Sequence, residues 1–356
     1  MNYIIKRLSL GILLILLASG VLLGMDVLQR RGRGSGSERM PVVAIIQHNS
    51  SPVMDDGVRG MIDGLKRMGF EDGKSVQLKK YNAEGDMTTE STIAREVSGG
   101  KYDLVLTSST PAMKAVANAN KQGKVVHVFG LVADPFASDV GLTAGKPLDH
   151  PAHFVGQGSM LPVDVSFKLM KQALPSLKRV GIAWNPAEAN SQIFTKAARK
   201  AAQEAGLEIL EANVENSAGI VEALNSLIGR DAQVIWVGGD NTLMGSMQTV
   251  IDTAKRSNIP VISITPGKPD RGTLMELGLD FYEVGLGSGE LAGRILKGEK
   301  PEKIPIEDVG TRVKHKLNVN LTVIKSLKEG WDIPKSIQKQ ATTVVDNKGI
   351  HQKGGK

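Results

Sequence analysis

The chain has 356 residues, 41% hydrophobic but only 4% aromatic, so aliphatic side chains must build its core, a usage suited to parallel strands covered by helices. It has no cysteine, which excludes disulfides, thiolate nucleophiles, Cys-ligated zinc and the lipid-carrying cysteine of a lipoprotein. The net charge of +7 sits at the ends: residues 1–40 and 325–356 each carry an excess of four positive charges and the body between them is close to −1, which argues against nucleic-acid binding.

In chain order, Lys6 and Arg7 precede an uncharged run over residues 8–25, at the lower limit of length for spanning a bilayer. Ala18, Ser19 and Gly20 have the small size and spacing of a signal-peptide cleavage site. Apolar residues continue through Val21, Leu22 and Leu23, which favours an uncleaved signal anchor, and both readings stay open. Arg30, Arg31 and Arg33 follow the run, and the positive-inside rule taken alone would put the body in the cytoplasm. Residues 32–37 read as a Gly/Ser/Arg linker, so 1–39 form a leader ahead of the folded body.

Residues 41–46 form a short apolar run of strand type. Helical spacing over 54–68 stops at Gly69. Strands at 75–81, 102–107 and 125–130 then alternate with helices at 88–97 and 111–122. The pattern restarts with a helix at 162–173, strands at 179–184, 207–213, 233–237 and 261–264, and helices at 187–205, 218–228 and 243–257. Two successive βα arrays predict an α/β fold of two doubly wound parallel-sheet lobes joined by a hinge, preceded by an N-terminal hydrophobic helix. The expected division is lobe 1 at 40–158, lobe 2 at 159–272, a return segment at 273–335 completing lobe 1 and the hinge, and a basic flexible tail at 336–356.

Ligands of such sheets sit beyond the carboxyl ends of the strands. That rule singles out Gln47-His48-Asn49, Ser108-Ser109-Thr110, Asp134, Asn185, Gly238-Gly239-Asp240-Asn241 and Thr265, which are mostly polar and uncharged. Thr110 is a candidate N-cap with Pro111 in the first turn, and the start of that helix suits a carboxylate. Asp240 either pairs with a ligand ammonium or caps the helix that follows. Trp184 either stacks on a flat ligand or fills the core. Gly285, Gly287 and Gly289 lie within a helical stretch, so close helix packing explains them better than a phosphate loop. The six histidines are scattered, and no nucleophile elbow, Walker loop or zinc motif is present. No enzyme activity, metal or cofactor is expected.

Several stretches together resemble the ABC-transporter substrate-binding family that includes tryptophan and tyrosine receptors, on the type I periplasmic-binding fold. They are Gly60-Met-Ile-Asp-Gly-Leu65, Tyr81-Asn-Ala-Glu-Gly-Asp86, Thr110-Pro-Ala112, Ala133-Asp-Pro135, the run from Gly181 through Trp184, Asn185 and Glu188 to Ser191, Asp240-Asn-Thr242 and Leu277-Gly-Leu-Asp-Phe-Tyr282. The similarity runs over residues 42–333. It implies an extracytoplasmic receptor that closes on a small molecule, often an aromatic amino acid in this family, and hands it to an ABC permease and its ATPase. It overrides the topology suggested by the arginines and implies a membrane partner for the N-terminal segment. The positions it carries over are Ser108, Ser109, Thr110, Asp134, Trp184, Asn185, Asn190, Ser191, Asp240 and Asn241. The ligand carboxylate would suit the Thr110 helix start and the ammonium Asp240.

The chain departs from the family at three places near the expected cleft. Ser51 precedes Pro52 where relatives commonly carry a histidine, with His48 three residues earlier; Gln157-Gly158-Ser159 replaces a run ending in an acid; and Thr265-Pro266-Gly267 lacks acids. These differences leave the substrate open. A second reading on the same fold is a membrane-anchored ligand sensor that signals to a partner protein.

Overall fold

In a computed structural model, residues 39–328 and 330–353 are described. The expected N-terminal hydrophobic helix, its cleavage site and the linker at 32–37 lie outside them. Among the described residues, no helix is long and apolar enough to cross a membrane.

Strand β1 (Val42–Gln47) is apolar because both its faces are covered. Val43 and Ile45 enter one core and Ala44 and Ile46 another, following the two-residue period of a strand. Helix α1 (Pro52–Arg67) starts at Ser51, whose Oγ accepts from the Met54 N–H at 3.3 Å, and Pro52 sits in the first turn, where its missing N–H costs nothing. The alternation continues through β2 (Gln77–Asn82), α2 (Met87–Val97), β3 (Leu104–Ser108), α3 (Thr110–Ala119), β4 (Val126–Val132) and β5 (Phe154–Gly158). These strands align in the order β5-β4-β3-β1-β2, all parallel.

The second lobe repeats the plan with α4 (Val163–Ala173), β6 (Arg179–Trp184), α5 (Ala189–Glu204), β7 (Glu208–Asn213), α6 (Ile220–Gly229), β8 (Val234–Val237), α7 (Asn241–Gly245), α8 (Met247–Arg256) and β9 (Val261–Ser263). The single helix expected over 243–257 is two, broken at Ser246. Next come β10 (Met275–Leu279), α9 (Phe281–Leu296), β11 (Glu307–Asp308), β12 (His315–Asn320), α10 (Lys335–Gln340), β13 (Thr343–Asp346) and β14 (Gly349–Gln352). The second sheet runs β14-β13-β12-β10-β9-β8-β6-β7, and β11 edges the first sheet beside β5.

Two boundaries differ from the sequence reading. Strand β10 lies in the second sheet, not the first: it pairs in parallel with β9 and antiparallel with β12. Glu276 anchors it there, accepting from Gly267 N, Arg271 Nε, Thr273 Oγ1 and Asn318 Nδ2. The basic tail is not a flexible appendage through residue 352, since it forms α10 and then β13 and β14, which extend the second sheet. Ile337, Ala341, Thr343 and Val345 are buried among exposed and half-buried neighbours, so a charge count hid an amphipathic pattern.

Chain crossings between lobes occur between β5 and α4, between β10 and α9, and between β11 and β12. At the second, Asp280 caps α9 and pairs with Lys316 Nζ at 2.5 Å. Helix α9 then lies along α1 in backbone contact. A Cβ on Gly60 would sit 2.1 Å from Tyr282 O, on Gly64 2.2 Å from Leu286 O, on Gly285 1.9 Å from Gly57 O, and on Gly289 2.0 Å from Met61 O. Those obstacles are main-chain atoms that cannot swing aside. Gly289→Ala is therefore expected to lower the urea midpoint by the equivalent of about 1–3 kcal/mol. Helix propensity alone would raise it by about 1 kcal/mol, so the sign of the shift tests the close approach. Gly229→Ala, with open space around its Cβ, is the control expected to be neutral or slightly stabilising.

Candidate functional site

The carboxyl ends of both sheets meet around a cavity of about 30 Å³. Lobe 1 lines it with Met54, Ser109, Thr110, Leu131 and Ala133; lobe 2 with Asn190, Phe194, Gly239, Asn241 and Met244; the crossings with Ser159, Leu161 and Phe281. A space of this size holds about one water, so the lobes stand closed. Asn49 Nδ2 donates across the seam to Asn241 O at 2.7 Å.

On the lobe 1 side, β3 runs directly into α3. Ser109, not Thr110, is the N-cap, and no side-chain bond caps the helix. Thr110 lies inside the first turn, and its Oγ1 accepts from Ala133 N. Ser109 has φ 98° and ψ 159°, a region that is essentially glycine's own and costs about 1–3 kcal/mol. The hydroxyls of Ser108 and Ser109 are buried without a partner. Gln47 instead locks its own turn, donating to Asn49 O and Asp55 Oδ1.

On the lobe 2 side, the hub is Glu188, only 2% exposed. Its Oε2 accepts from Asn241 N, Asn241 Nδ2 and Asn190 Nδ2, and its Oε1 from Thr242 N and Thr242 Oγ1, at 2.7–3.0 Å. Glu188 thus holds the start of α7 without any salt bridge to a cation among the described residues. Asp240 is equally committed: Oδ1 accepts from Leu243 N, and Oδ2 from Asn185 N and Ser191 Oγ. It caps α7, and these three bonds fill most of its acceptor capacity. Asn185 and Ser191 serve that same network, Asn185 also donating to Thr242 Oγ1.

Of the sequence candidates, Ser109, Thr110, Asn190 and Asn241 line the cavity and the other ten do not, four of them being held by contacts elsewhere. Trp184 gives its indole N–H to Glu211 Oε2 at 2.9 Å and lies under the Arg199 guanidinium. Asp134 closes its own turn by accepting from Phe136 N and Ala137 N. Gln157 packs against Gly287 on α9. Thr265 bonds Ser263 and Arg271. Conversely, the sequence reading passed over Glu188 and the apolar lining. The signal for Glu188 was an acid within a run of small and polar residues just after a strand end.

Charge concentrates at the seam. His48 is buried, with Nδ1 2.9 Å from Glu90 Oε2. Burial pulls its pKa down, but the Glu90 hydrogen bond and the charges of Glu90, Glu188 and Asp240 outweigh it and raise it above 6.5. Burial, then the Glu188 charge, push the Asp240 carboxyl from 3.8 up to about 7 against its three hydrogen bonds.

This chain's sequence matches the profile described as "ABC transporter substrate binding protein" over residues 42–345. It is 31% identical over 271 residues to the tyrosine-binding protein of Clostridioides difficile (strain R20291), covering 76% of each chain. Among solved structures it resembles a conserved domain protein from Vibrio cholerae, with TM-score 0.79 and 27% identity over 86% of this chain and all of that one. It also resembles an ABC domain in complex with L-Trp from Streptococcus pneumonia, with TM-score 0.76 and 25% identity over 85% of this chain and all of that one. A ligand-free, open substrate binding protein from Clostridium difficile gives 0.58 at 29% identity, over 83% and 96%. The better match to the liganded structure, despite lower identity, agrees with the closed lobes.

The titrations give a test. Asp240 has a folded pKa above its unfolded 3.8, so stability is expected to fall as pH rises from about 4 to about 7 and then level off. His48, raised above 6.5, adds a loss of the same sign as pH climbs through its folded value. Thermal melts of Asp240→Asn should lose the limb between pH 4 and 7; a limb of unchanged slope would place that titration elsewhere.

Proposed function

The chain belongs to the ABC transporter substrate-binding protein family, and from that premise we propose that it closes its two lobes on an amino acid with a large apolar side chain and delivers it to an ABC permease. Members of the family bind a substrate rather than transform it, and they work on the extracytoplasmic side. One observation carries the choice of ligand: the cavity pairs an uncapped helix start and an unpartnered Ser109 hydroxyl with an apolar wall. Free N–H groups and the positive end of α3 favour a carboxylate. Ser108 and Ser109 add hydroxyl donors to the same end. Phe194, Phe281, Met54 and Met244 offer an aromatic or aliphatic side chain a surface to cover.

The relatives that bind tyrosine and L-Trp support an aromatic ligand. Because the closed cavity holds about 30 Å³, such a ligand must enter an opened cleft. Delivery to a permease and its ATPase follows from the family's role in transport. The apolar run at 8–25 supports a tether to the membrane.

A thermal-shift screen of the twenty L-amino acids tests the reading. Binding adds about 2.7 kcal/mol of stability at a hundredfold excess over Kd. L-tyrosine and L-tryptophan are expected to raise Tm most, and Ser109→Ala to reduce their shift. No shift with any amino acid would remove the amino-acid reading.

A further inference from the structure

The amide of Asn190 can be oriented without ambiguity. One of its terminal atoms lies 3.0 Å from Glu188 Oε2 and 2.7 Å from Gly239 O. Gly239 O can only accept, which settles which terminal atom faces it. The atom facing them is therefore the nitrogen; a flip would set oxygen against oxygen. The carbonyl Oδ1 is left buried and without a partner, on a residue that lines the cavity. Asn49 repeats the logic from the other lobe: its nitrogen donates to Asn241 O, and its Oδ1 is buried and unpartnered.

Resting on the amino-acid reading above, we propose that Asn190 selects the ligand's amino group and that Glu188 is the positioning residue that fixes Asn190 as an acceptor. Asn49 brings a second acceptor to the seam when the lobes close. An ammonium carries three N–H donors, whereas a hydroxyl in its place carries one. The surrounding groups are acidic, since the carboxyls of Glu90, Glu188 and Asp240 are buried near His48. This assigns the ammonium to Asn190, whose Oδ1 accepts nothing, ahead of Asp240, whose oxygens already accept three hydrogen bonds.

The experiment measures, by calorimetry, the ratio of affinities for L-tyrosine and its desamino analogue 3-(4-hydroxyphenyl)propionate. A buried acceptor deprived of its donor predicts a preference for tyrosine of roughly tenfold to a hundredfold in the wild type. Asn190→Leu is expected to bring the ratio to within about threefold of unity. Glu188→Gln sets an amide nitrogen among donors, loosens Asn190 and should lower the ratio as well. A merely structural residue would weaken both ligands alike and leave the ratio unchanged. A wild-type preference that survives in Asn190→Leu overturns the assignment, as does a wild type that binds both ligands equally. A wild type that binds no amino acid overturns the earlier reading and this one with it. If Glu188→Gln fails to fold, the Asn190→Leu ratio decides.

Discussion

The backbone contact between α1 and α9 is the constraint on which the two-lobed form depends. Small residues let two helices approach until main-chain atoms touch, and here glycines face backbone along both helices. The consequence is topological. Strand β10 belongs to lobe 2, yet the helix after it fits only against lobe 1, so the chain must cross at Asp280. It crosses back before β12 for the complementary reason, because β12 finds its partner in β10. Domain movement by hinge bending concentrates in a few such connections. Each lobe remains a packed unit on either side of them.

Within that frame the halves of the cleft are prepared differently. Lobe 1 presents donors: the uncapped α3 start, Ser108 and Ser109, with Ser109 held in a strained conformation. Lobe 2 presents acceptors fixed by Glu188, a carboxylate that takes five hydrogen bonds. A buried charge is tolerable when its lone pairs are filled, and helix N–H donors are among the strongest partners for a carboxylate. The arrangement is preorganised, because Asn190 and Asn241 are oriented by protein bonds before any ligand contributes.

Much of this was legible in the sequence because hydrophobic period and strand-end position are local properties. The βα alternation and the closeness of Ser109, Thr110 and Asn241 to the cleft came from such signals, and Asn190 from the family resemblance of the motifs around it. What escaped notice depends on tertiary neighbours. Trp184 stands at a strand end but turns to Glu211 and Arg199, and no spacing rule encodes that choice. Asp240 and Glu188 look alike as acids after strands, and only the position of α7 shows that both are consumed by its N–H groups. Phe281 comes from the chain crossing rather than from either repeat, so the strand-end rule could not reach it. The tail was misjudged because composition counts lysines, whereas folding responds to the buried residues between them.

The closed seam explains why a ligand would govern the conformation. Asn49 and Asn241 bond across it, while Asn49 Oδ1, Ser109 Oγ and Asn190 Oδ1 are buried without partners among the described residues. Each unmet group costs about 1–3 kcal/mol, at least as much as the roughly 0.5–1.5 kcal/mol that the cross-seam bond returns. Closure alone therefore has little net driving force from its polar groups. A ligand that supplies the missing donor and acceptor atoms interacts with them fully only when the lobes are shut. A difference of that kind is what shifts a two-state equilibrium, because a ligand that met both states equally would shift nothing. On the proposed assignment, the same unmet atoms account for both selectivity and the coupling of binding to closure.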